Sequence, residues 1–253
     1  MNLATIPARQ PWPREQLVRT RALALSNAID LSTRKNYGSA CNSYLTFVCL
    51  HKLPVDPTPK TLSFFVMFTS HHISPRSVKT YLSGLVNQLQ PFFPDILEAR
   101  HSRLVTRTLD GCLKLKSKPT ARKQALSLDD VTRVQTHFAG SNNHDNLLFI
   151  SLLLTAFFAL HRLGELTFSD DKTLRDWRKI IRRSSVTLYS DRYGYTLPAH
   201  KADCEFEGGR VVVWGEQFGH PTLPPFISYL ESRDTKFPLA FPLWLTSSGS
   251  VPT

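Results

Sequence analysis

Between Leu147 and Leu160 the chain runs through fourteen residues that only Ser151 and Thr155 interrupt with polar groups. A helix that is apolar on every side has to be covered on every side. Fourteen residues fall short of the roughly 20 needed to span a bilayer. The run therefore predicts a helix buried within a folded domain, with no membrane partner. At 253 residues, 42% of them hydrophobic, the chain can supply that cover, and its length allows one large or two modest domains.

Helical periodicity dominates the first half. Pro7, Pro11 and Pro13 mark residues 1–13 as an arm without fixed structure. From Ser32 to about His51, Tyr37, Ala40, Cys41, Tyr44, Leu45, Val48 and Cys49 recur at three- and four-residue spacing, as an amphipathic helix requires. Pro54, Pro57 and Pro59 break that pattern, and a second apolar segment runs from Thr61 to about Ser70. Ser74 and Pro75 predict an N-cap and a first helical residue, opening a helix through Val78, Tyr81, Leu82, Leu85 and Leu89. One further helix is expected from Asp95 to Leu115, with Ile96, Leu97, Leu104, Leu109 and Leu113 on its apolar side. Residues 14–116 thus read as a helical bundle, and the polar, basic, proline-containing stretch 117–125 reads as a linker.

Residues 126–253 begin with Ser127 and Asp130 at capping-box spacing and continue into the apolar run. Ser185 to Tyr189, Gly194 to Leu197 and Arg210 to Trp214 are rich in β-branched and aromatic residues and are separated by turn residues, which predicts a three-stranded antiparallel sheet. A helix is expected next, over Pro221 to Arg233. The fold class expected is mainly α with a small antiparallel β-sheet.

The charge is unevenly placed. The net charge is +11, and residues 1–125 carry 18 Lys and Arg against 6 Asp and Glu, so the first half holds all of the excess. A positive field of that size points to a polyanionic partner, nucleic acid first among them. Cys41, Cys49, Cys112 and Cys204 form no metal-binding or disulfide pattern, so no metal or cofactor is expected and a reducing, intracellular setting fits. No secretory leader is visible at the N-terminus.

Two places could carry chemistry. Arg162 and Glu165 come directly after the buried helix, so a core-anchored backbone could aim a guanidinium at a phosphate; a structural ion pair between the two is the alternative reading. Lys201 comes after the second expected strand, where a lysine could reach a groove as a point charge and proton donor or could simply be a surface group.

Taken with their setting, these features resemble the tyrosine recombinases, the DNA breaking-rejoining or phage-integrase family, over roughly residues 20–253. Arg162-Leu-Gly-Glu-Leu166 is similar to the family's R-x-x-E-L segment, and Lys201 falls where the family keeps a lysine between its second and third strands. The resemblance implies a SAM-like helical core-binding domain over 14–116 and part of an α+β catalytic domain over 126–253. It implies that Arg162 contacts the scissile phosphate, that Glu165 orients the site and that Lys201 acts as general acid, without metal or cofactor. The family's later H-x-x-R segment and nucleophilic tyrosine have no match; Tyr229 lies ahead of where they would begin and is expected to be a packing residue. The resemblance therefore implies a truncated recombinase, from a mobile element or a gene fragment, that binds DNA and does not cut it alone.

In that family the helical domain and the catalytic domain grip opposite faces of the duplex. The expected phosphate contacts are Arg34 and Lys35 at one helix start, Arg76 and Lys79 at another, and Lys116, Lys118, Arg122 and Lys123 at the linker. Tyr37 and Tyr81 are expected in the core. The partner is double-stranded DNA, with a monomer off DNA, a possible homo-oligomer on it, and a nuclear location if the source is eukaryotic. The competing class is a non-catalytic DNA- or RNA-binding helical adaptor in which Arg162 and Glu165 are a structural pair.

Overall fold

Proline starts helices here more often than it stops them. In the computed structural model, which describes residues 10–116, 122–199 and 208–253, Pro13 precedes α1 (Arg14–Asn27), and Pro59 and Pro75 open α3 (Pro59–His72) and α4 (Pro75–Leu89). At a first helical position the missing N–H costs nothing, because that group has no partner within the helix anyway. The segment expected to begin at Thr61 thus begins at Pro59, capped by the Thr58 hydroxyl, which accepts from the Thr61 amide at 3.2 Å. Ser74 holds the N-cap position of α4, but its side chain makes no capping hydrogen bond. Its carbonyl instead accepts from the amides of Ser77 and Val78.

The chain divides into two compact units, Met1–Ala121 and Arg122–Thr253. In the first, α2 (Leu31–Leu50), α3 and α4 pack with α5 (Ile96–His101) and α6 (Arg103–Lys116) around Tyr44, Phe47, Leu62, Phe65, Val78, Leu82 and Leu85. Tyr37 is half-buried and Tyr81 packs against the edge of this core. Gly84 lets α2 and α4 approach: a Cβ there would lie 3.0 Å from the Ala40 Cβ and 3.1 Å from the Tyr37 backbone. No described side chain of α1 is buried.

The single helix expected over 95–115 is two. Ser102 leaves the helical region, with φ −55° and ψ 147°, and its hydroxyl accepts from the Val105 amide at 3.4 Å at the start of α6. The break shifts the helical phase. Val105 and Cys112 are buried, whereas Leu97 and Leu104, expected on the apolar side, are exposed.

The second unit opens with α7 (Leu128–Phe138), closed by the capping box of Ser127 and Asp130. Helix α8 (His144–Phe158) starts three residues before the apolar run, capped by the Asn143 side chain. Its buried residues include Leu148, Ile150, Ser151, Leu154 and Thr155. Phe149 and Leu160 are exposed, contrary to a helix covered all round. Leu160 is not helical at all: its φ of +53° places it in the left-handed conformation that ends α8, with His161 N–H donating to the Ala156 carbonyl at 2.9 Å.

Strands β1 (Thr187–Leu188), β2 (Arg192–Leu197) and β3 (Gly209–Trp214) form an antiparallel sheet in that order, with Tyr193 opposite Val213 and Tyr195 opposite Val211. Tyr193, Tyr195, Leu197 and Val213 face a core shared with α8 and α10 (Leu223–Lys236). A second hairpin, β4 (Glu216–Gln217) and β5 (His220–Pro221), was not anticipated. Its turn is Phe218-Gly219, both at positive φ, and a phenylalanine there gives no turn signal. The chain is mainly helical with a small antiparallel sheet of three and two strands.

Residues beyond α10 form no regular element among 238–253 except a bridge from Pro242 to Arg182, yet Leu243 and Trp244 are core residues. Polar side chains hold this coil. Arg233, 1% exposed, donates to the carbonyls of Phe237 at 3.0 Å and Pro242 at 2.8 Å, to that of Ala240, and to Asp234 Oδ1 at 2.7 Å. His144 bonds the Leu245 carbonyl at 2.9 Å, and the buried Tyr229 hydroxyl donates to the Leu243 carbonyl at 2.9 Å, the packing role expected of it. Removing one member of such a buried charged network leaves several polar groups unsatisfied. Arg233→Met is therefore expected to lower stability by about 3 kcal/mol or more. Urea unfolding measures this, and a loss below about 1 kcal/mol, the size of an ordinary surface change, would contradict it.

Candidate nucleic-acid interface

Arg162 owes its position to the way α8 ends. The left-handed Leu160 turns the chain out of the helix, and Arg162, with φ −78° and ψ 140°, becomes the N-cap of the one-turn helix α9 (Leu163–Leu166). Glu165 reaches back from that turn. Its Oε2 accepts from the Arg162 amide at 3.0 Å, and its Oε1 accepts from Arg162 Nη1 at 3.1 Å. One carboxylate thus holds both the backbone and the side chain of the same arginine.

The Glu165 carboxylate is itself held from the other side. His161 Nδ1 lies 3.2 Å from Oε2, and His161 Nε2 lies 2.6 Å from the Tyr195 hydroxyl on β2. Tyr193, two residues earlier on the same face, bonds Thr155 of α8 at 2.8 Å. The two tyrosine hydroxyls thereby fasten the sheet to the end of α8. Exposure rises along the string: the His161 side chain is 4% exposed, Glu165 12% and Arg162 67%. The arrangement presents a cation at the surface on a buried polar anchor.

Burial by itself would raise the pKa of Glu165. Hydrogen bonds from the Arg162 amide, from His161 and from the Arg162 guanidinium outweigh it, and the carboxyl sits below its ordinary value of 4.5. Tyr195 is shifted well above the ordinary phenol range, first by burial and then by the nearby Tyr193 and Glu165, so its hydroxyl keeps its proton.

The other expected contacts fall in different surroundings. Arg34 and Lys35 lie exposed near the start of α2, and Arg76 and Lys79 lie exposed near the start of α4. Arg122 and Lys123 are exposed at the start of the second unit. Lys116 departs from expectation. It is the last residue of α6, and its ammonium is buried without a hydrogen-bond partner among the described residues, so it does not present its charge along a linker. Lys118 and Lys201 lie outside the described residues.

His161 and Tyr195 were missed in the sequence. His161 stands four residues before Glu165, the spacing at which helical side chains meet, and Tyr195 alternates with Tyr193 as a buried strand face requires. Neither signal identifies the other as a partner. Among the described residues no group of three or more His, Cys, Asp or Glu could hold a metal ion, and no helix is long and apolar enough to cross a membrane. No protein-family model and no curated protein matches the chain.

Because Glu165 is depressed in the folded state, its stabilising contribution is fully present above its ordinary value of 4.5 and is lost as pH falls through the lower folded value. Glu165→Gln is expected to flatten the fall of melting temperature on acidification below about pH 4.5. Thermal melts of both proteins from pH 7 to 3 would show this, and parallel curves would count against it.

Proposed function

We propose that this chain binds duplex DNA in the manner of a tyrosine recombinase, with Arg162 on a backbone phosphate and the first unit as a helical DNA-binding domain. The observation that carries the proposal is the setting of Arg162. A guanidinium two-thirds exposed stands on a backbone pinned by Glu165, and among the described residues that carboxylate engages one of its five N–H donors. A planar fork held in this way matches the geometry of a phosphate. The charge of residues 1–125 supports the same partner, and so do the exposed basic residues near the starts of α2 and α4, where the positive end of the helix dipole adds to the field. The order of parts supports the family: a helical unit, a buried helix leading into Arg162, then an antiparallel sheet whose β2–β3 connection carries Lys201. The setting proposed is intracellular, and nuclear in a eukaryote.

The 3.1 Å contact between Arg162 and Glu165 favours a second reading, a non-catalytic DNA- or RNA-binding protein in which this pair only caps α9. One substitution separates the two. If Arg162 holds a phosphate, Arg162→Ala weakens duplex binding and reduces the slope of log affinity against log salt by about 1. Fluorescence anisotropy between roughly 50 and 200 mM salt measures both quantities. Unchanged affinity and slope, with only a lower melting temperature, would assign the pair to structure.

A further inference from the structure

We infer that Tyr195 and His161 are positioning residues for Arg162, acting through Glu165. This rests on the reading of Arg162 as a phosphate contact and extends it inward to the sheet. The direction of the bond to Glu165 is set by chemistry. An ionised carboxylate only accepts, so His161 Nδ1 carries a proton and donates to Glu165 Oε2 at 3.2 Å. Nε2, on the other edge of the ring, lies 2.6 Å from the Tyr195 hydroxyl. Burial keeps that phenol protonated. The string runs from Tyr195 through His161 to Glu165, whose carboxylate accepts from His161 on one side and from the Arg162 amide and guanidinium on the other.

The order has a mechanical consequence. His161 is attached to a turn, and nothing in its backbone alone decides which ring nitrogen faces Glu165. The Tyr195 hydroxyl decides it: by engaging Nε2 it leaves Nδ1–H to Glu165. The carboxylate in turn is fixed at the angle that serves both the Arg162 amide and its guanidinium. Tyr195 is 1% exposed and sits in the register of β2, opposite Val211. A core strand thus sets the rotamer of a surface arginine, and a phosphate site on a rigid element is more selective in geometry than one on a loop.

The test is a double-mutant cycle on the full chain, with mixed-sequence duplex DNA as probe. Tyr195→Phe removes one oxygen and keeps the ring. It is expected to weaken binding roughly fivefold when Arg162 is present and to add less than about twofold when Arg162 is already alanine. His161→Asn, whose amide can replace the Nδ1 donor, is expected to bind within about twofold of the parent, and His161→Ala to lose about as much as Tyr195→Phe. Melting temperatures are recorded for each protein, and the histidine pair carries the comparison if Tyr195→Phe fails to fold. Equal losses from Tyr195→Phe with and without Arg162, no loss in either, or equal losses from the two histidine variants would overturn the inference. An Arg162→Ala protein that binds as tightly as the parent would mark a different failure, that of the phosphate reading itself.

Discussion

The Glu165 carboxylate is the contact on which the second unit's surface chemistry depends. Helix α8 ends in a left-handed leucine, a conformation that an L side chain adopts at a cost, and the Ala156 and Phe157 carbonyls at its end accept from the His161 and Leu160 amides. The segment after that leucine is a single turn of helix and not a loose loop, because Glu165 accepts from the Arg162 amide, the Arg162 guanidinium and the His161 ring at once. Each bond to an ionised acceptor is stronger than a neutral one. Their sum outweighs the desolvation of a carboxylate that is 12% exposed.

The same unit uses charge to fix irregular backbone at its other end. Arg233 is almost fully buried and serves three carbonyls and Asp234, and Asp234 also accepts from Arg183 at 2.7 Å. Asp145, at the start of α8, accepts from the amide and hydroxyl of Ser247 at 2.7 and 2.5 Å. A coil with few backbone partners has to satisfy its polar groups through side chains, and these supply them. Leu243 and Trp244 can then occupy the core without a strand or helix to carry them.

The elements with a strong pattern were legible in the sequence: α2 and α4 from apolar spacing, α8 from its apolar run, and the three strands of the larger sheet from β-branched and aromatic residues between turn residues. What escaped was local. Ser102 splits one expected helix because its side chain competes with the backbone for the Val105 amide, and periodicity is blind to that competition. Leu160 and Phe218 take left-handed conformations where glycine or asparagine would have announced the turn. Arg162 and Glu165 were legible as a pair, since they stand at positions i and i+3. The partnership of His161 with Tyr195 spans 34 positions and exists only once the sheet docks on α8. Lys116 was read by composition as a surface charge, although the final turn of α6 carries it inward.

The phosphate binding proposed for Arg162 joins these features into one account: a buried tyrosine, a histidine and a carboxylate ending in an exposed guanidinium. The most direct measurement is the Nε–Hε NMR resonance of Arg162, assigned by its loss in Arg162→Lys, monitored as duplex DNA is added at low and at moderate salt. The account predicts a saturable shift of that resonance that weakens as salt rises. A resonance that stays in place while basic residues elsewhere in the chain respond to DNA would contradict it.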